Sequence, residues 1–566
     1  MEPMLRTRVG RITGASASAA SGRTRRGMVL ALALATLVVG LRMGVVRESR
    51  AGAEVASAPI RTKAGPRRTP TKPVSRPSKP KADDAAMPRA GLPATGEANR
   101  DLPLKRPSPL EPPGGPPSLL ELAPGPPAPT PSREAAGPPR APEPSPAADV
   151  KTPGRVRVRD EAGRAVVARR HGQHRDQVIV ILPDGQLGIP NGLVPTEEPF
   201  RVASVDAMKE DLIKGPFAGF DARQSTHYLV LSQCSTRFAE DSVKLLEDLY
   251  KGLADSLRKR GIPIYDLEFP LVAVVFRTEA DFRAFKPVDP DVQAYYEIFT
   301  NRIFFYEHSD RDEHSPEVAA LRKPQTVAHE GAHQILQNIG VQPRLAAWPS
   351  WLVEGLAEYC ASPTTTRKGA NWGGLGAINP LHMATIRDLH DPLSPQVQPR
   401  DTEPVGRDPR MPLVEYLVTR TELSPTDYAL SWALAHYLAS KRLDDFLAFL
   451  EAMRQAPPLE TRTPQEHLAA FRAAFGHDLS KMDKSIRNHL AKLKKYDALP
   501  YYAVVFEQPI GVRVKRAALV SQSPSMIRQW LETVPSPRGG PTRWEVFPHP
   551  TRTRALLTAE RWIQGR

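Results

Sequence analysis

Apolar and polar positions divide the chain into stretches of different character. Met28 to Leu41 is an unbroken apolar and small-residue run, interrupted by Arg42 and resumed to Val46. Residues 47 to 154 show no apolar periodicity. From 155 to 203 the short runs V-R-V-R, A-V-V-A and Q-V-I-V-I-L read as strands, with turns at Asp184-Gly185 and Asn191-Gly192. H-Y-L-V-L (227 to 231) predicts a strand. Phe238 to Arg258, with Leu245, Leu246, Leu249 and Leu253, predicts a long amphipathic helix. L-V-A-V-V-F (271 to 276) is continuously apolar and suits the centre of a sheet. Y-E-I-F (296 to 299) and R-I-F-F-Y (302 to 306) flank Thr300-Asn301 and predict a hairpin.

Helical spacing takes over from there. Val327, Ile335, Leu336 and Ile339 give apolar periodicity to a helix that Pro324 is placed to start and Gly340 to stop. Trp351, Leu352 and Leu356 predict a second helix after a break through Pro343 and Pro349. Thr364 to Pro412, rich in Gly, Pro and Asp, reads as a long loop, either a lid or plain irregular surface. Helices return at Tyr428 to Leu438, Asp444 to Met453, Pro464 to Phe475 and Leu479 to Leu493. Residues 500 to 566 predict a small αβ piece with strands Y-A-V-V-F, V-R-V-K-R-A-A-L-V and W-E-V-F. Ser523 is placed to cap a short helix there, with Pro524 in its first turn.

Candidate chemistry concentrates on the two central helices. The first contains H-E-x-x-H: His329, Glu330 and His333. Residues four apart share a helix face, so both imidazoles reach one metal ion, and Glu330 is placed to take a proton from a water beside it. Zinc needs a third protein ligand and an open fourth position. Glu354, on the second helix, is the candidate. Glu358 shares its face and is placed to accept a hydrogen bond from a ligand imidazole, fixing the tautomer. Tyr428 and His436 are further candidates, as donors to an oxyanion. Both sit on a helix dense in Leu, Trp and Ala, where a core role is the default.

H-E-G-A-H followed by W-L-V-E-G-L-A-E-Y resembles the gluzincin branch of the zinc metallopeptidases. More narrowly it is similar to exported bacterial proteins with a peptidase-MA-like domain. The similarity runs from about Ser225 to Leu493 and includes H-Y-L-V-L, Y-Y-E-I-F-T-N-R-I-F-F-Y, Y-A-L-S-W-A-L-A-H-Y-L and F-R-A-A-F-G-H-D-L. The resemblance implies an α+β, zincin-like catalytic domain: a mixed sheet, a zinc helix, then a helical subdomain. It implies Zn2+ on His329, His333 and Glu354, Glu330 as base, and favours Tyr428 as oxyanion donor. It also implies a strand bordering the cleft, with Arg302 to Tyr306 as candidate for pairing with an extended substrate; an interior strand is the equal alternative. No G-A-M-E-N-type segment of the gluzincin aminopeptidases is present, which points to an endopeptidase or a specialised hydrolase.

Composition and charge set the surroundings. Six arginines precede residue 27, and a positive start before an apolar run is an export signal. The run's length suits either a signal peptide or a membrane anchor, with the remainder outside the cytoplasm. Of the chain's 60 Pro, 25 fall between 51 and 150, a composition that predicts a disordered, extended spacer. The net charge of +15 would suit nucleic acid, but the basicity lies largely in the tail and spacer and no nucleic-acid motif accompanies it. Two cysteines, Cys234 and Cys360, exclude a disulfide framework and leave open whether they pair with each other.

The expected organisation is a basic n-region (1–27), a signal peptide or anchor (28–46), a disordered Pro-rich linker (47–154), a small barrel-like β module (155–203), the metallopeptidase domain (204–498) and a C-terminal αβ extension (499–566). The expected function is an exported zinc peptidase of the cell envelope, membrane-anchored or secreted. Its partners would be a peptide or protein substrate and a membrane, not nucleic acid. The competing expectation is an inactive zincin-like envelope scaffold, against which the intact Glu330 argues.

Overall fold

The computed structural model describes residues 154–160, 163–174, 177–366, 369–393, 410–493 and 500–565. The expectations for 1–27 and 28–46, and nearly all of that for 47–154, lie outside these residues. Among the described residues no helix is long and apolar enough to cross a membrane. The fold is α+β.

The β module is β1 (Arg155–Arg159), β2 (Ala165–His174), β3 (Gln177–Ile181), β4 (Leu187–Gly188) and β5 (Val194–Pro195), an antiparallel sheet of order β4-β3-β2-β1-β5. The sheet is open rather than barrel-like, since β4 and β5 are edges. Gly185 supplies the positive φ of the turn before β4. Ile179 and Leu187 enter the large core of the next region, so the module is built into it.

That region comprises α1 (Val205–Lys214), β6 (Asp221–Gln224), β7 (Tyr228–Ser232), α2 (Thr236–Lys259), β8 (Leu271–Thr278), α3 (Glu279–Phe285), β9 (Ala294–Glu297), β10 (Arg302–His308), α4 (Asp310–His314) and α5 (Pro316–Asn338). Its sheet has the order β6-β7-β8-β10-β9, parallel at β7/β8 and β8/β10 and antiparallel at the two ends. Alternation along the strands makes two cores. Leu229, Leu231, Val272, Val274, Phe276 and Phe304 pack with Met208 of α1 and Phe282 of α3. Tyr228, Val230, Ala273, Val275, Ile303 and Phe305 pack with α2 and α5. β9 and β10 form the expected hairpin, with Asn301 at φ 58. β10 is an interior strand, bonded to β8 on one side and β9 on the other, so it has no free edge for a substrate. The edge strand beyond it is β9.

α5 begins at Pro316, two turns earlier than expected, and carries Pro324 inside it. A proline there forfeits one helical hydrogen bond. Contacts at the first turns offset it: Lys323 bonds the Glu307 carbonyl, and Glu317 is held by a distant segment described below. Gly340, φ 79, ends the helix as expected, with the Val341 amide bonded to the Leu336 carbonyl.

The chain then enters α6 (Ser350–Ala361), the hairpin β11 (Pro363–Thr366) and β12 (Gly369–Trp372), and α7 (Pro380–Leu389). The expected long loop therefore contains ordered elements. A helical subdomain follows: α8 (Leu413–Val418), α9 (Pro425–Lys441), α10 (Leu443–Arg454), α11 (Pro464–Phe475) and α12 (Leu479–Lys492). Trp351 of α6 anchors it, stacked on Phe449 and edge-on to Phe471. The C-terminal unit is β13 (Tyr501–Ile510), β14 (Arg513–Ser521), α13 (Pro524–Thr533), β15 (Arg543–His549) and α14 (Arg552–Ile563), an antiparallel sheet of order β14-β13-β15 with two helices. Its strands and first helix follow the expected pattern. α14 was not expected, because it meets the sheet through the small Ala555 and Ala559 rather than through large apolar residues. Cys234 and Cys360 are both free thiols.

Candidate metal centre

Two close helix contacts bring the candidate ligands together. A Cβ on Gly331 would come within 2.7 Å of Leu246, so the glycine of H-E-G-A-H lets α2 close on α5. A Cβ on Gly355 would come within 2.5 Å of the Ser431 carbonyl, so the glycine after Glu354 lets α9 close on α6. Gln334, buried one turn below His329 and Glu330, donates to the carbonyls of Val272 (3.0 Å) and Asn301 (2.7 Å) and pins α5 to the sheet. Asn338 adds a bond to the Asn301 side chain at 2.7 Å.

On this frame His329, His333 and Glu354 converge. The two Nε2 atoms are 3.0 Å apart, and Glu354 Oε2 lies 3.2 Å from His329 Nε2 and 3.3 Å from His333 Nε2. The rings are nearly perpendicular, at 86°. Zinc–nitrogen and zinc–oxygen bonds of about 2.0–2.1 Å in a tetrahedron give ligand–ligand edges of roughly 3.3 Å. The three observed edges fit that figure, and two imidazoles with one carboxylate are a zinc donor set.

Glu358 lies behind the ligands. Its Oε1 is 3.1 Å from His329 Nδ1. Its Oε2 accepts from Gln325 Nε2 at 2.7 Å and Asn379 Nδ2 at 3.3 Å, and lies 2.9 Å from His382 Nε2. Sequence reasoning passed over Gln325, Asn379 and His382. Asn379-Pro380 was the available signal: an Asn N-cap before a first-turn proline, and Asn379 Oδ1 does accept from the Leu381 and His382 amides.

The site's electrostatics pair its carboxylates with imidazoles. Burial works to raise the Glu354 pKa, yet the charge of His333 and hydrogen bonds from both histidines hold it at about 2. Burial likewise opposes ionisation of Glu358, but His382 and His329 keep it well below the ordinary carboxylate range. Glu330 differs: burial pushes its carboxyl up, against the charge of His329, and the Tyr296 amide of β9 is the backbone group facing it.

The structure brings the Tyr428 ring to 6.2 Å from the His329 ring, between centroids. It does not bring His436 there. That ring faces His489 at 2.9 Å and the Gly376 carbonyl at 3.1 Å, so its place is structural. His329, Glu330 and His333 are 0% exposed and Glu354 is 3% exposed.

A family described as a protein of unknown function (DUF1570) matches residues 323–460, a segment running from within α5 past α10. No curated protein matches the chain.

Proposed function

We propose that the chain is an exported zinc-dependent peptidase of gluzincin type, which hydrolyses a peptide bond inside a polypeptide. The observation that carries this reading is the convergence of His329, His333 and Glu354 at tetrahedral edge lengths, with Glu330 beside them. Zinc bound there would polarise the substrate carbonyl and acidify a water. The chain's own residues do the rest. Glu330 takes the proton from the attacking water and returns it to the leaving amine. Tyr428, beside His329, donates a hydrogen bond to the oxyanion. Glu358 fixes the His329 ring and its tautomer. The edge strand β9 offers its backbone to an extended substrate, in place of the interior β10. The Arg-rich start and the apolar run to Val46 support export and a membrane tether, with residues 47–154 as a spacer.

A second reading has one observation in its favour. Complete burial of His329, Glu330 and His333 suits a closed, non-catalytic metal site in an envelope scaffold. Digestion of a broad peptide library by the zinc-loaded full-length protein separates the two. Cleavage that stops with chelator and returns with zinc supports the peptidase. A protein that holds one zinc and cleaves nothing is the scaffold.

A further inference from the structure

The C-terminal unit grips the catalytic region at two helix ends. At the start of α13, Glu317 of α5 accepts from the Ser523 hydroxyl at 2.6 Å and from the Ser525 amide and hydroxyl at 3.1 and 2.7 Å. At the start of α14, Asp388 accepts from the Thr553 amide at 2.8 Å, and Asp391 accepts from the Thr551 hydroxyl at 2.6 Å and Arg554 Nε at 2.8 Å. Both helices of the unit thus have their positive N-terminal ends met by carboxylates of the catalytic region. Asp388, Asp391, Thr551 and Thr553 are all buried.

The gripped elements are the two that hold Glu358. Glu317 opens α5, which carries Gln325; Pro324 between them has broken one helical bond, so the first turns depend on outside contacts. Asp388 and Asp391 close α7, whose other end presents Asn379 and His382 to Glu358. Glu358 in turn lies against His329.

We propose that the C-terminal unit is a positioning clamp for the metal centre: through Glu317, Asp388 and Asp391 it sets α5 and α7 so that Gln325, Asn379 and His382 hold Glu358 against His329. The clamp rests on the zinc reading of that site. It assigns His382 as a positioning residue that touches neither metal nor substrate. It also makes the extension part of the site, although the unit lies outside the chain segment that carries the ligands.

The test uses the full-length protein. Thr551→Val with Arg554→Met, and Ser523→Ala with Ser525→Ala, loosen the two grips without altering α5, α6 or α7. His382→Ala removes one of the three groups that hold Glu358. Zinc affinity is read by competition with a chromophoric chelator, and ligand geometry by the visible spectrum of the cobalt-substituted protein, on samples shown to be folded by circular dichroism. Removing a group that orients a ligand typically weakens metal binding 10- to 100-fold. The account expects that range for His382→Ala, and about 10-fold for each loosened grip, with an altered cobalt spectrum. It also expects the loosened grips to add nothing once Glu358→Gln is present, because their effect runs through Glu358. Folded variants with lower thermal stability but wild-type zinc affinity and cobalt spectrum overturn the clamp, as do effects that simply add to Glu358→Gln. Wild type that binds no zinc overturns the metal reading itself, a result separate from a loaded wild type whose variants match it.

Discussion

α2 and α5 lie side by side on one face of the central sheet, yet they are built on opposite rules. α2 buries Leu245, Leu246, Leu249, Leu253 and Leu257 and turns charged residues such as Glu240, Lys244 and Lys251 outward. α5 buries Gln325, Thr326, His329, Glu330, His333, Gln334 and Gln337 together with its apolar residues. The first pattern follows from the hydrophobic effect alone. The second costs free energy unless each polar group finds a partner. Gln334 and Asn338 find theirs in the sheet, and Gln325 finds Glu358. Among the others, His329, His333 and Glu330 gather with Glu354 from α6, a set that could hold a cation. Packing accounts for the first helix; the second buries polar groups that packing alone does not call for.

The largest expected effect of a single atom change lies on α5. Glu330→Gln keeps the side chain's size and should keep the zinc, while peptide hydrolysis falls about 10²- to 10⁴-fold, roughly 3–5 kcal/mol in the barrier. Steady-state rates alongside metal analysis check this; an unchanged rate would remove Glu330 as the base. Glu354→Gln should behave otherwise, with zinc affinity and activity falling together.

The converse experiment is on α2. Leu249→Ala should cost about 2–5 kcal/mol of stability, the usual range for truncating a buried leucine. Zinc per folded chain should stay the same. Urea unfolding and metal analysis of the same sample read both quantities. Loss of zinc from the folded variant would mean that α2, too, is a functional helix.

Metal removal sharpens the comparison further. If zinc completes the buried polar face of α5, a chelator should lower the wild-type unfolding midpoint. At a free zinc concentration 100-fold above the dissociation constant, the stabilisation lost is about 2.7 kcal/mol. His333→Ala should show no response to the chelator, and an equal response in both proteins would mean the stabilising metal sits elsewhere.

The smallest expected effect is a pH dependence at the grip of α14. Burial opposes ionisation of Asp391, but bonds from Thr551, the Leu393 amide and Arg554 hold its carboxyl below the ordinary value. A depressed carboxylate pKa stabilises the fold above the unfolded-state pKa of about 3.9, and that stability fades as pH falls through the lower folded value. Asp391→Asn should therefore lose stability at pH 7 and flatten the acid limb of the stability curve. Unfolding midpoints across the acid range measure it, and an acid limb as steep as wild type's would contradict the assignment.

Much of this was legible in the chain. H-E-x-x-H with Glu354 and Glu358 stood out because the spacing of four residues is a helix rule and the residue types are those of a metal site. Thr300-Asn301 and Gly340 marked turns that backbone conformation confirms. Other features were obscured for physical reasons. The start of α5 was hidden by Pro324, which reads as a first-turn residue but sits inside the helix. R-I-F-F-Y was a weak candidate for an edge, since a continuous apolar run is what an interior strand needs. α7 lay in a Gly- and Pro-rich stretch, so His382 could be placed on Glu358 only by three-dimensional proximity. His436 looked chemically apt, but its bond to the Gly376 carbonyl uses it in packing.

Metal content of the purified full-length protein, by mass spectrometry beside the His333→Ala variant, tests the central claim most directly. The account predicts about one zinc per chain in wild type and none bound stoichiometrically in the variant. Full zinc in His333→Ala, or a wild type that takes up no zinc when it is supplied, would contradict it.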